Sequence, residues 1–220
     1  MKSHSETAMA DNAEKAPNEA RRDVLKLTGA GLVALGVGTM TSSKAIAQSE
    51  LKLSDEWDKT FAKSDKIDHQ KVTFKNRYGI TLAADLYQPK NASGKLAALV
   101  LSGPFGAVKE QSSGLYAQTM AERGFHPRAI NSNASWTVTT PLSFMNMPIL
   151  TYIAEISPRP ELFIHGEKAH SRYFSETAYE AAAEPKELMI IPGANHTDLY
   201  DQMDVIPFDK ITAFFQQHLA

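Results

Sequence analysis

Regular alternation of apolar and polar positions begins only after residue 70. Val72-Thr73-Phe74 starts a strand, Asn76-Arg77-Tyr78-Gly79 supplies turn chemistry, and residues 80–87 alternate well enough to return as its hairpin partner. Pro89 stops that strand, and Asn91-Ala92-Ser93-Gly94 reads as a loop. Residues 96–101 are continuously apolar, which predicts a strand buried on both faces, as in a parallel sheet. After the tight segment Ser102-Gly103-Pro104-Phe105-Gly106-Ala107, residues 113–123 predict a helix. Ser113 is its natural N-cap, Gly124 its C′ residue, and Leu115, Tyr116, Thr119 and Met120 its inward face.

From residue 126 to about 144 the pattern fails. His126-Pro127, Asn131-Ser132-Asn133 and Thr139-Thr140-Pro141 are loop chemistry, and no buried strand is expected there. Residues 147–156 suit a short helix ended by Ser157-Pro158. Structure then resumes with a strand at 161–166, a helix at 174–183, a strand at 186–191, and an amphipathic closing helix at 207–219 with Pro207 near its first turn. Ahead of the hairpin, Trp57 and Phe61 have the i, i+4 spacing of one helical turn.

The first 47 residues have a different character. A polar leader precedes Arg21-Arg22-Asp23-Val24-Leu25-Lys26, residues 27–40 are mildly apolar, and Ala45-Ile46-Ala47 supplies a small-x-small cleavage pattern. The apolar stretch holds four glycines in fourteen residues, short of the roughly twenty apolar residues that span a bilayer. A transmembrane anchor is therefore the weaker of two readings. Arg21 and Arg22 with the residues after them resemble the twin-arginine export signal. That resemblance implies the export machinery as a partner, cleavage after Ala47, and a periplasmic or extracellular location. The expected organisation is a signal at 1–47, a polar segment at 48–70 and one domain at 71–220.

Composition narrows the function classes. A net charge of −2, with 22% charged and 43% apolar residues, argues against nucleic acid or an anionic membrane as the main partner. The absence of cysteine excludes a disulfide framework and thiolate metal sites. The seven histidines are scattered, without the His-x-x-x-His or His-Glu-x-x-His spacing of a metal site, and neither a metal nor a cofactor is expected.

The order hairpin, apolar strand, Gly-Pro loop, helix resembles the opening of an α/β-hydrolase. Strand with His165-Gly166, helix, strand with Pro192-Gly193-Ala194-Asn195-His196, closing helix resembles its end. More narrowly, residues 106–111, Leu142-Ser143-Phe144-Met145-Asn146 and residues 196–201 look like a bacterial branch akin to the dienelactone hydrolases. The resemblance implies an α/β fold: an incomplete α/β-hydrolase with a mostly parallel sheet of about five strands flanked by helices. The two recognisable parts, 71–125 and 158–220, flank a linker or cap remnant at 126–157. No Gly-x-Ser-x-Gly elbow occurs anywhere in the chain. Roughly a hundred residues of the family pattern are absent, and the expected junction is between Phe125 and His126.

The resemblance also assigns roles. His196 corresponds to the catalytic base, which takes the proton of an attacking hydroxyl and returns it to the leaving group; the plain alternative is a loop histidine bonded to backbone. The acid that would orient it aligns near Ala169, which has no acid, so Glu167 two residues away is the candidate, and Asp198 is read as a cap of the histidine loop. Phe105 and Gly106 are the oxyanion-hole candidates, since Pro104 has no N–H to give; a plain strand-to-helix turn is the alternative. Ser102, Ser112, Ser113 and Ser171 lack elbow spacing, and none is taken as a nucleophile. The expectation is an ester- or lactone-type hydrolase that this chain carries in impaired form. Its alternative is a non-catalytic envelope protein that binds a small ester-like ligand or self-associates through an exposed sheet edge.

Overall fold

The structure, a computed structural model, describes residues 52–130 and 139–219. The expected signal, with Arg21, Arg22, Ala45 and Ala47, lies outside the described residues. Of those described, Leu53 onward belongs to one compact unit. No helix among the described residues is long and apolar enough to cross a membrane.

The hairpin forms as its pattern predicts: β1 (Ile67–Lys75) pairs antiparallel with β2 (Thr81–Pro89) in a register running from Ile67↔Pro89 to Lys75↔Thr81. Gly79 sits at φ +77°, the left-handed backbone that the turn needs and that glycine adopts without strain. β3 (Ala98–Ser102) follows, then α1 (Ser112–Glu122), and then β4 (His126–Ile130). β4 lies between β2 and β3, parallel to β3, so the ladder order is β1-β2-β4-β3. A second ladder pairs β5 (Glu161–Gly166) in parallel with β6 (Lys186–Ile191). With α2 (Thr140–Met145), α3 (Arg172–Ala181), the one-turn α4 (Asp198–Asp201) and α5 (Phe208–His218), the chain is of mixed α/β class, its sheets flanked by helices.

β4 corrects the expectation of a structureless run after Phe125. Pro127 had argued against a central strand because it cannot donate to a ladder. Backbone N–H groups alternate sides along a strand, and His126 N–H donates to Ala97 O on the β3 side. Residue 127 therefore faces the β2 side, where pairing begins only at Arg128↔Leu86. The missing donor falls where no ladder bond is made. A paired strand thus follows directly on the expected Phe125–His126 junction. Residues 131–138, which follow β4, lie outside the described residues.

Further expectations change. β3 is buried on one face only: Leu99 is buried, whereas Val100 is 73% exposed on the other side of the strand. β3 bonds to β4 and β5 to β6, and among the described residues no ladder joins β3 to β5. Trp57 and Phe61 do meet, edge to face at 5.6 Å, but in an irregular segment in which the Trp57 indole N–H donates to Phe61 O at 2.7 Å. That segment is laid along α1: the Gln118 side chain accepts from Ser64 N–H and donates to Ala62 O, and Phe61 packs over Gly114. α1 is consequently buried on more sides than its apolar stripe predicts. The N-cap of α1 is Gln111 rather than Ser113, which lies inside the first turn. The short helix expected at 147–156 contracts to a single 3-10 turn, Ile153–Ile156.

Two apolar clusters hold the unit together. Ile67, Tyr87, Ala117, Ala121 and Ala129 pack between hairpin, α1 and β4. Leu99, Met120, Phe125, Ile206 and Phe208 pack between β3, α1 and the start of α5. The helices α1 and α5, not a continuous ladder, therefore connect the opening of the chain with its close.

Candidate functional site

The site grows from the carboxyl end of β5. Gly166 closes that strand against the loop after β6; a Cβ there would come within 2.5 Å of Ala194 O and 2.8 Å of Asn195 O, so only glycine permits the approach. The two loops are then tied: Glu167 N–H donates to Ile191 O at 2.9 Å, Lys168 N–H to Ala194 O at 2.9 Å, and Gly193 N–H to the Glu167 carboxylate at 2.9 Å. Asp198 accepts from Asn195 N–H at 2.7 Å, the capping role read for it. On the far side, Tyr116 of α1 donates its hydroxyl to Leu199 O at 2.6 Å, and burial pushes that phenol up to about 12.

His196 is held in this frame by two hydroxyls. Its Nδ1 lies 2.6 Å from Ser171 Oγ and its Nε2 lies 3.1 Å from the Tyr200 hydroxyl. Ser171, buried, also touches His165 Nε2 at 3.0 Å, and Ser175 Oγ lies 2.8 Å from His165 Nδ1. The result is one chain, Ser175–His165–Ser171–His196–Tyr200. With both imidazoles neutral, one proton per link satisfies it if all donors point the same way along it. His165 is held below the usual histidine range, first by burial and then by the neighbouring His196.

The chemistry of this arrangement follows from which nitrogen meets which group. In a Ser-His-acid triad, Nε2 faces the nucleophile and Nδ1 the acid. Here Ser171 is on Nδ1 and so takes the acid's place, while a phenol takes the nucleophile's. Glu167 lies in the turn after β5, but its carboxylate is spent on Gly193 N–H, a clamp between two loops.

Opposite His196, across a cavity of about 550 Å3, stand the end of β3 and the loop after it, represented in the wall by Ser102, Gly103 and Pro104. Phe105 is 56% exposed and its ring meets that of Phe144 at 3.9 Å; Gly106 has a φ of +87°. Neither of these two oxyanion candidates belongs to the cavity wall, whereas Gly103 and Pro104 do. His196, Tyr116, Tyr200, Ser112 and Ser113 also line it. Ser171, His165 and Tyr200 escaped sequence reasoning as partners of His196. Only the i, i+4 spacing of His196 and Tyr200, with helix following at once, was a usable signal.

No protein-family model matches the chain. The chain is 38% identical to the uncharacterised protein PA2218 of Pseudomonas aeruginosa over the whole of both chains, in an alignment of 375 positions against the 220 residues here. The crystal structure of PA2218 superposes with a TM-score of 0.71 at 39% identity, over 77% of this chain and 99% of that one. Two more distant structures share the fold. The α/β hydrolase GrgF from Penicillium sp. sh18 has a TM-score of 0.59 at 14% identity, over 69% of this chain and 99% of its own. A dienelactone-hydrolase-like promiscuous phosphotriesterase from metagenomic libraries has a TM-score of 0.52 at 10% identity, over 70% and 99%.

Proposed function

Because this chain belongs to the family of PA2218 and has an α/β-hydrolase fold, we propose that it descends from a hydrolase of ester or lactone bonds and has itself lost the nucleophile. The observation that carries this reading is the occupancy of His196. A working base needs Nε2 free to take a proton from an aliphatic hydroxyl at the cavity wall. Here Tyr200 stands at that nitrogen, and Ser171 is buried on the opposite one. The alignment with PA2218 supports the same reading. It covers both chains end to end yet runs over 375 positions against 220 residues here, so the surplus is internal. The open space between β3 and β5 is where a sheet of this class would continue.

The test is labelling with a fluorophosphonate serine probe together with turnover of p-nitrophenyl butyrate. Loss of a triad nucleophile removes about six orders of magnitude in kcat. We expect no label, and hydrolysis no faster in the native chain than in His196→Ala. Label that disappears in Ser171→Ala would make Ser171 a nucleophile and overturn the reading.

We extend the proposal to location: Arg21 and Arg22 direct the protein to the cell envelope. Replacing both by lysine should retain it in the cytoplasm of a host with a twin-arginine pathway. Equal export of both forms in fractionated cells would count against that assignment.

A further inference from the structure

We infer that the chain binds an amphipathic monocarboxylate, its carboxylate seated at the start of α1 and its alkyl tail laid in an apolar trough between β3 and β5. The cavity beside His196 does not end at its far wall. A second cavity of about 570 Å3 continues it, and the two share Val100, Leu101, Tyr116, Leu162, Ile164 and Ile211. Each volume is within the ~300–1,000 Å3 range of small-molecule sites. The second chamber adds Leu99, Met120, Phe214 and Phe215, and among the described residues Tyr116 is its one titratable side chain and no Asp, Glu, Lys or Arg lines either chamber. Among the described residues β3 and β5 each bond on one side only, and Val100, on the uncovered face of β3, lines both chambers.

The head of the site is at the other end. Ser112 and Ser113 open α1, an eleven-residue helix, and both line the first chamber. The cap residue Gln111 makes no side-chain cap bond; its amide oxygen is turned to Val108 N–H instead. The first N–H groups of a helix have no acceptor within it, and together with the helix dipole they favour an anion. The independent observation is Ser113. It is 4% exposed, its Oγ is buried without a hydrogen-bond partner, and the residue is among those that line this chamber, so a turn about χ1 is what would bring the hydroxyl to a ligand. A buried hydroxyl without a partner is costly, and a ligand oxygen would satisfy it. A carboxylate gains from both the hydroxyl and the helix N-terminus, an alcohol from the hydroxyl alone. Each tail methylene buried in the trough favours binding roughly fourfold.

This inference rests on the reading above only in treating the chain as a binder of the acid that the proposed ancestral ester hydrolysis would release. The test is titration calorimetry with decanoate, decanol and acetate, below micellar concentrations, on the full chain and on Ser113→Ala and Leu162→Trp. Circular dichroism confirms that each variant is folded, and ester turnover is measured on the same samples. Decanoate should bind about tenfold or more tightly than decanol, and acetate should give no detectable heat. Ser113→Ala should remove the preference of decanoate over decanol, and Leu162→Trp should weaken both. Equal binding of acid and alcohol, or a preference untouched by Ser113→Ala, overturns the site. Turnover together with the expected decanoate pattern overturns the loss of activity and keeps the site; absence of both turnover and decanoate binding does the reverse. A chain that sediments as a dimer and takes up no decanoate has a second copy over the trough, which also overturns the proposal.

Discussion

Asp85 is completely buried in β2 among three cationic or cation-forming groups. Lys59 Nζ lies 3.1 Å and His69 Nε2 2.8 Å from its Oδ1, and Lys109 Nζ lies 3.0 Å from its Oδ2. Burial alone would raise the carboxyl. The hydrogen bond to His69 and the charges of Lys109 and Lys59 outweigh it and hold the group below its ordinary value of 3.8. A carboxylate that is more acidic in the folded chain than in the unfolded one stabilises the fold above the unfolded value. That contribution is lost as pH falls through the folded value. Urea denaturation should therefore show stability falling below about pH 4. In Asp85→Asn that acid-dependent fall should be shallower, and stability at pH 7 should drop. The drop should be near the lower end of the ~3–5 kcal/mol cost of breaking a buried pair, because Asp58 and Glu110 still face the two lysines. An unchanged acid profile in the variant would show that Asp85 does not govern it. None of this network was legible in the sequence. Its members lie in four separate stretches, and only pairing of β1 with β2 brings His69 and Asp85 together.

At the scale of elements, most strands and helices were legible because each carries its own period. The hairpin, α1 with its Gly124 terminator at φ +94°, β5, β6 and α5 all stand close to where the pattern placed them. β4 was not legible. A proline and a short five-residue span hid it, and its strand identity comes from its neighbours rather than from alternation. The union of β5 with the histidine loop was likewise invisible except as an unremarkable His-Gly pair. Gly166→Ala tests that union. The added Cβ meets backbone at 2.5 Å, which cannot yield as a side-chain tip would. The loop must shift or the strand end must open, at a cost of about 1–3 kcal/mol. The expected outcome is a lower urea midpoint together with a changed His196 imidazole environment by NMR. Retention of both would mean that the contact is looser than the geometry states.

At the scale of the molecule, the two ladders do not pair among the described residues, and the opening of the chain meets its close through α1, α5 and an apolar cluster between them. The chain by itself determined the hairpin, β3, α1, α3, β5, β6 and α5 and the absence of a Gly-x-Ser-x-Gly elbow and of cysteine, since each is written in local period or residue type, whereas the class of fold and the prominence of His196 came through the family resemblance. Tertiary structure decided three other things. It put Ser171 rather than Glu167 on the histidine and turned the Glu167 carboxylate to Gly193 N–H. It placed Gly103 and Pro104, not Phe105 and Gly106, in the wall of the cavity. It left β3 bare on one face although residues 98–101 are all apolar, because burial depends on what packs across a strand and no period along a single strand records that.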